Sequence, residues 1–416
     1  MRPSYKWLML ALLAMAFFFH QADRVLFGLL TIPIQNELHL DDLQIGWINT
    51  SLFCTLAVAT PLAGFLGDRV SRKWIITASL VFWSLMTACT GLVGGMCGLV
   101  FFRSIATGGG ESFYAPSAYA LIAAHHRETR SVALSIHQSA LYMGLMFSGA
   151  LVAYVLHLFG GWRPVFFAFG GMGLLLGLVF VFALKDGGVA RPVQKRAVPV
   201  LASVKAYFGN PAAMLATAGF VAVVFANNAY LSWAPKYMAR RFELSVGDAG
   251  GGTMLYHHVA ALVAILCGAA LTDAMVRRHP RFRLALQAAA FLLGAPTLVY
   301  FGFAPSVAGA WGAVAAYGVF RGLVEVNTHA SLFDVIPAEH RSSAAGMMTM
   351  MAFFVGSLSP LMIGALSKKM GLHGFEIGFA ILGGAYLVGA ACVCLSFFLF
   401  FRRWRVVEPS VKEVEG

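Results

Sequence analysis

The chain has 416 residues, 59% of them apolar and only 12% charged, with 30 Lys+Arg against 18 Asp+Glu for a net charge of +12. A soluble chain carries about 45–50% apolar and about 25% charged residues and must present polar surface to water, so water-soluble domains are excluded and lipid is the solvent for most of this chain. On a membrane protein the positive excess marks loops on one face rather than a nucleic-acid-binding surface.

The N-terminus, with Arg2 and Lys6 before an apolar run, superficially resembles a signal peptide. The run continues through Gln21-Ala22-Asp23-Arg24 without a cleavage site, so it reads as the first span. A span needs about 20 mostly apolar residues. Windows of that size give twelve: 7–33, 44–67, 73–95, 97–122, 132–158, 164–184, 212–238, 250–273, 282–304, 308–334, 343–367 and 375–400. Most connections are short. The exception, Lys185–Asn210, is basic and interrupted by Pro192 and Pro199. It divides the chain into a six-helix bundle (1–184), a central loop (185–210), a second six-helix bundle (211–401) and a charged tail (402–416). The six cysteines all lie in apolar stretches and read as small core residues, with no metal site. The Phe-rich stretches Phe17–Phe19 and Phe397–Phe401 are expected to face lipid.

Lys and Arg set the orientation. With the N-terminus inside, 21 of the 30 fall in inner loops or tails, 6 in outer loops (Lys236 and Arg163 among them) and 3 within spans. Both termini are therefore expected to be cytoplasmic, in a plasma (inner) membrane. The halves also echo one another. Asp68 is followed four residues later by Arg72-Lys73, and Asp273 by Arg277-Arg278; Arg130-Ser131-Val132-Ala133 matches Arg341-Ser342-Ser343-Ala344. Both offsets, 205 and 211 residues, support a duplicated unit, a recurring architecture of secondary transporters.

The segment Gly64-Phe65-Leu66-Gly67-Asp68-Arg69-Val70-Ser71-Arg72-Lys73 resembles the loop motif between helices two and three of the major facilitator superfamily, with Gly64, Asp68, Arg69, Arg72 and Lys73 in place. The resemblance extends over nearly the whole chain through the weaker copy around Asp273 and Arg277. It implies an all-α integral membrane fold of twelve transmembrane helices in two pseudo-symmetric six-helix halves, acting as a monomer. The motif is expected to be a cytoplasmic latch in which a carboxylate at a helix end meets Arg donors. The other reading of these charges is topology signalling alone. A narrower resemblance lies in Asp23-Arg24, in Glu111-Ser112-Phe113-Tyr114-Ala115-Pro116 and in Gly161-Trp162-Arg163-Pro164. It is to the anion:cation symporter branch, carriers of small organic anions, and equally to the Spinster-like branch, associated with lysolipids and sphingoid lipids. One departure stands out. Those families imply an Arg seven residues before Glu111, whereas Arg103 is eight before it, across Gly108–Gly110. On an ideal helix the extra residue turns the Arg by ~100°, so either the triple glycine carries a bulge or Arg103 faces elsewhere.

Ionisable groups in a span are costly and normally mark a pathway, a partner or a proton site. Asp23, Glu111 and Glu325 are the candidate proton-coupling groups; Arg24, Arg103 and Arg321, with His20, Tyr114 and His137, are the candidate substrate contacts. Helical rise puts Asp23 and Arg103 at similar depth. Arg321 and Glu325, four apart, share a helix face and can meet. His257 and His258 are adjacent and cannot chelate from one face. No phosphate-binding loop, zinc-protease helix or nucleophile elbow occurs, so no enzyme and no cofactor are expected. The expected function is proton-coupled (or sodium-coupled) alternating-access transport of a small organic anion such as a sugar acid. The alternatives are a Spinster-like lysolipid or sphingoid lipid transporter and a transporter-like ligand sensor.

Overall fold

The computed structural model describes residues 3–67, 71–126, 128–185, 200–276 and 278–406. In hydrocarbon every backbone N–H and C=O must be satisfied within the segment, and the described residues accordingly form helices and short connections without strands. Among the described residues, eleven helices are long and apolar enough to cross a membrane. They are α1 (Pro3–Leu29), α2 (Asp42–Gly67), α3 (Arg72–Thr90), then, after the fourth pass, α5 (Arg130–Phe159), α6 (Arg163–Ala183), α7 (Pro211–Phe242), α8 (Val246–Val276), α9 (Phe282–Phe303), α10 (Val307–Phe333), α11 (Ala338–Met370) and α12 (Leu372–Trp404). The fourth pass, α4 (96–125), is broken into short pieces: a wide π-helical stretch Leu99–Ala106, one α-turn Thr107–Glu111, and Tyr114–His125. This makes twelve passes.

Helix ends follow local chemistry. Asn210 caps α7, its side chain accepting from the N–H groups of Ala212 and Ala213, with Pro211 at the first helical position. Ser306 caps α10 through the Gly309 N–H. Gly160 ends α5 at φ +63°, a conformation that costs a glycine little. In the central connection the described residues include a short helix, Val200–Phe208, packed against α11, so that stretch is not all loop.

Duplication is visible in the packing. In the first half α1 packs on α5, α2 on α4 and α3 on α6; in the second, α7 packs on α11, α8 on α10 and α9 on α12. The halves meet along α5 with α8 and along α2 with α11. Small residues allow the close approach, as small residues do between membrane helices. A Cβ at Gly149 of α5 would lie 2.5 Å from Gly251 of α8, and one at Gly46 of α2 would lie 3.0 Å from the Pro360 carbonyl oxygen of α11. The face on which α1 begins and α12 ends is here the terminal face, and the opposite one the far face.

Two expected lipid-facing aromatics lie inside instead. Phe17 is 2% exposed and stacks on the His137 ring at 4.4 Å, and Phe401 is 3% exposed. Phe398, at 71%, does face outward. A run of Phe on a helix points around its whole circumference, so a run cannot have one face.

Candidate functional site

Within the bundle the first half gathers its charged residues from α1 and α4. Asp23 and Arg24 are consecutive on α1 and so diverge. Arg24 donates from Nε and Nη2 to Glu111 Oε2 at 3.2 and 3.1 Å. Asp23 Oδ2 accepts from the Thr87 hydroxyl of α3 at 2.7 Å, while its Oδ1 is buried without a partner. Arg103 is 1% exposed. Its Nη2 donates to the backbone carbonyls of Asp23 and Arg24, at 3.0 and 2.8 Å. Asp23 and Arg103 are thus level and adjacent, but the contact runs to the backbone and no carboxylate–guanidinium bridge forms between them.

The anomalous spacing in α4 now has a physical account. A π-helical turn accommodates one extra residue, and the wide stretch Leu99–Ala106 contains Arg103. Thr107 closes it, its hydroxyl donating to the Phe102 carbonyl at 2.7 Å. The added residue is absorbed there, and both Arg103 and Glu111 reach α1. The bulge precedes the glycines; it does not lie in them. Gly108 and Gly110 let α4 approach Leu52 of α2 and Trp83 of α3.

A wall of rings lies beside the ion pair. His20 Nε2 sits 3.3 Å from the Glu111 carbonyl oxygen and 3.8 Å from Glu111 Oε2. The Tyr114 hydroxyl donates to the Leu13 carbonyl at 2.5 Å and lies 3.3 Å from His137 Nε2. Phe17 and Trp83 pack against these rings. His20, Arg24, Glu111, Tyr114 and His137 therefore form one cluster. Next to it, toward the terminal face, a groove of about 540 Å³ is lined by Tyr119, Arg130, Leu134 and Gln138.

The second half supplies its own pair. Arg321 Nη2 meets Glu325 Oε2 at 2.8 Å within α10, and Glu325 Oε1 accepts from the Tyr142 hydroxyl of α5 across the seam at 3.4 Å. The Glu325 side chain is 33% exposed and that of Arg321 11%. Arg321 Nε and Nη1 are buried without partners, and the Tyr317 and Tyr386 rings pack together beside them, 5.6 Å apart. Each half thus places an arginine–carboxylate pair beside aromatic rings inside its spanning helices.

The loop motif is described only in part. Asp68, Arg69 and Arg277 lie outside the described residues, as do 186–199 of the central loop and 407–416 of the tail. Gly64 lies near the end of α2. Arg72 donates to the Ala120 carbonyl of α4 at 3.3 Å and Lys73 to the Val181 carbonyl of α6 at 2.8 Å. These bonds tie α3 to its own half. Asp273 is exposed near the end of α8.

At the far face the two halves are locked by residues that the sequence did not single out. Lys236 of α7 donates to Asp42 of α2 and to Gln35 of the short helix Thr31–Leu38; Asp42 also accepts from Ser367 of α11. Gln35 Nε2 donates to Asp42 Oδ1 at 2.7 Å. Lys236 is 1% exposed and Asp42 8%, with the Trp233 ring 5.3 Å from the ammonium. The placing of Lys236 in an outer loop is therefore corrected: it is a buried residue of a spanning helix. The available signal was that Lys236 falls inside the apolar window 212–238. Beside this cluster Lys368 meets Asp41 at 2.8 Å. Burial raises the Asp41 carboxyl, but the Lys368 ammonium and the Gln44 and Leu43 N–H groups outweigh it and hold the group below the ordinary carboxylate range. Trp162 and Arg163 act within the first half, where both bond Glu37 and Arg163 also covers the Gly91 and Val93 carbonyls.

Comparison with known proteins adds the following. The profile described as Major Facilitator Superfamily matches residues 12–360. Protein spinster homolog 1 of Xenopus tropicalis is 27% identical over 364 residues, 81% of this chain and 68% of that protein. An MFS-type efflux pump of Mycolicibacterium smegmatis is 24% identical over 95% of this chain and 93% of its own length. Among solved structures, a bacterial homolog of the human lysosomal transporter Spinster, in an inward-facing and unoccupied conformation, superposes with a TM-score of 0.81 at 18% identity, covering 98% of this chain and 100% of that one.

Proposed function

The chain belongs to the major facilitator superfamily and is a multi-pass membrane transporter, not an enzyme; from that premise we propose that it moves an amphiphilic organic ion with a charged head, of the Spinster-like lysolipid class, by proton-coupled alternating access. The observation that carries this reading is the arginine–carboxylate pair in each half, Arg24 with Glu111 and Arg321 with Glu325. Breaking a buried pair by removing one partner is strongly unfavourable because it strands a charge. A zwitterionic head exchanges pair for pair, its phosphate taking the guanidinium and its amine the carboxylate. A lone anion would leave a carboxylate behind. The ring wall of Phe17, Trp83 and Tyr114 suits the apolar neighbourhood of such a head.

A small organic anion remains the second reading, and the exposure of Glu325 favours it. A carboxylate one-third exposed can stay hydrated when an anion draws Arg321 away, so no cation need replace the guanidinium. In either case Asp23 is the proposed proton carrier, since its Oδ1 is buried and unpartnered. The terminal face is proposed to be cytoplasmic, from the distribution of Lys and Arg, and the working unit a monomer.

Proteoliposome uptake tests the proposal. Under an imposed pH gradient, labelled lysophosphatidylethanolamine should accumulate and a labelled hexuronate should not. Accumulation of the hexuronate alone would return the assignment to a small anion. Binding of either without movement would make the chain a sensor.

A further inference from the structure

Outside the central site, a groove of about 610 Å³ opens on the terminal face between the α8–α9 connection and the end of α12. Arg278, His279, Arg281, Arg402 and Arg405 line it, and Phe397 forms part of its floor, with the Arg281 guanidinium 5.1 Å from that ring. Arg278, Arg402 and Arg405 are exposed. Among the described residues, no carboxylate lies within ion-pair distance of Arg278, Arg281, Arg402 or Arg405. Arg283, next to them in sequence, is by contrast satisfied by Asp334 at 2.7 and 2.9 Å.

The depth of the groove follows from the antiparallel pairing of α9 and α12. Gly302 packs on Glu376 near the far face, Gly389 on Phe291, and Leu284 and Ser396 line one small cavity. The start of α9 is therefore level with residues just beyond Ser396. The 33 residues of α12 span ~50 Å at ~1.5 Å per residue, against a hydrocarbon core of ~30 Å. Its last turn, with Arg402, and Arg405 just beyond the helix project past the core into the headgroup layer. Phe398 and Leu399, 71% and 62% exposed, continue the groove's edge down the lipid-facing side.

We propose that this groove is a binding site for the phosphate headgroup of an anionic phospholipid, whose acyl chains lie along Phe398 and Leu399 of α12. Arginines present planar donors that match phosphate oxygens two at a time. Basic pockets between membrane helices on the cytoplasmic side hold anionic headgroups in this way. Four guanidiniums without carboxylate partners among the described residues, over an apolar floor at headgroup depth, satisfy both requirements. A water-soluble phosphate would use the charges but not the lipid-facing edge.

Native mass spectrometry of the full chain in detergent, with added dioleoylphosphatidylglycerol or dioleoylphosphatidylcholine, tests the site. The unmodified protein should retain the anionic lipid in preference to the zwitterionic one by roughly tenfold or more. Arg402→Gln with Arg405→Gln, both exposed and free of packing duties, should reduce the preference to about twofold or less, and Arg278→Gln with Arg281→Gln should do the same. Lys369→Gln, an exposed cation on the far face, should leave it unchanged. Equal retention of the anionic lipid by the Arg402/Arg405 variant and the unmodified protein would overturn the proposal. So would its displacement by an equal concentration of glycerol 3-phosphate, which would make the groove a soluble-phosphate site.

Discussion

Lys236→Met should open the far face. In the structure Lys236 and Asp42 are nearly devoid of water and bond one another across the two halves, with Gln35 and Ser367 completing the cluster. Removing one partner of a buried ion pair costs about 3–5 kcal/mol, because the other is left charged and unpaired. That cost applies only while the halves are closed at this face. Once they part, water reaches Asp42 from the far side and the penalty disappears. The equilibrium should therefore move toward the far-open state by a factor on the order of 10² to 10³. Double electron–electron resonance between spin labels at Leu92 and Lys369, in a background lacking the six cysteines, reads the separation directly. Lys236→Met should shift the distance distribution to longer values, and Asp42→Leu added to it should return most of the population. Unchanged distances in Lys236→Met, or a double variant no closer to the unmodified protein than the single one, would refute the reasoning.

The remaining predictions concern the seam and the central charges. Gly149→Val should prevent close packing of α5 on α8, since even a Cβ would sit 2.5 Å from Gly251; the same spectroscopy should show a far-open shift, and transport should fall at least tenfold on the order of 1.4 kcal/mol. Asp23→Asn should abolish accumulation driven by a pH gradient while leaving substrate exchange measurable in counterflow; normal accumulation would remove Asp23 from coupling. Arg321→Ala should lose substrate binding by calorimetry, whereas Glu325→Gln should retain it. Wild-type affinity in Arg321→Ala would make the pair purely structural.

Spans were legible because lipid leaves a chain few options. Each pass must be long, apolar and internally bonded, so hydropathy marked all twelve, including α4, whose interruptions lie in backbone geometry and leave its apolarity intact. The eight-residue gap between Arg103 and Glu111 was visible as an anomaly. Its resolution was not, since a π-helical turn is chosen by how α4 packs on its neighbours. The i,i+4 pair of Arg321 and Glu325 could also be read along the chain, because helix geometry alone brings such residues together.

Partners about 80 to 90 residues apart could not be read in that way. Nothing along the chain paired Glu111 with a particular cation, and only the facing of α1 and α4 gave it Arg24 and left Arg103 on backbone carbonyls. Phe17 and Phe401 counted as lipid-facing until the packing turned them inward. Sequence by itself determined that this protein lives in lipid, crosses it in a duplicated set of helices and carries a few costly charges within. Tertiary structure decided which of those charges neutralise one another and that Lys236 and Asp42 close the far face. The reason is that hydropathy and helical period act over one or two turns, whereas an ion pair between residues 194 apart exists only when the two halves come together.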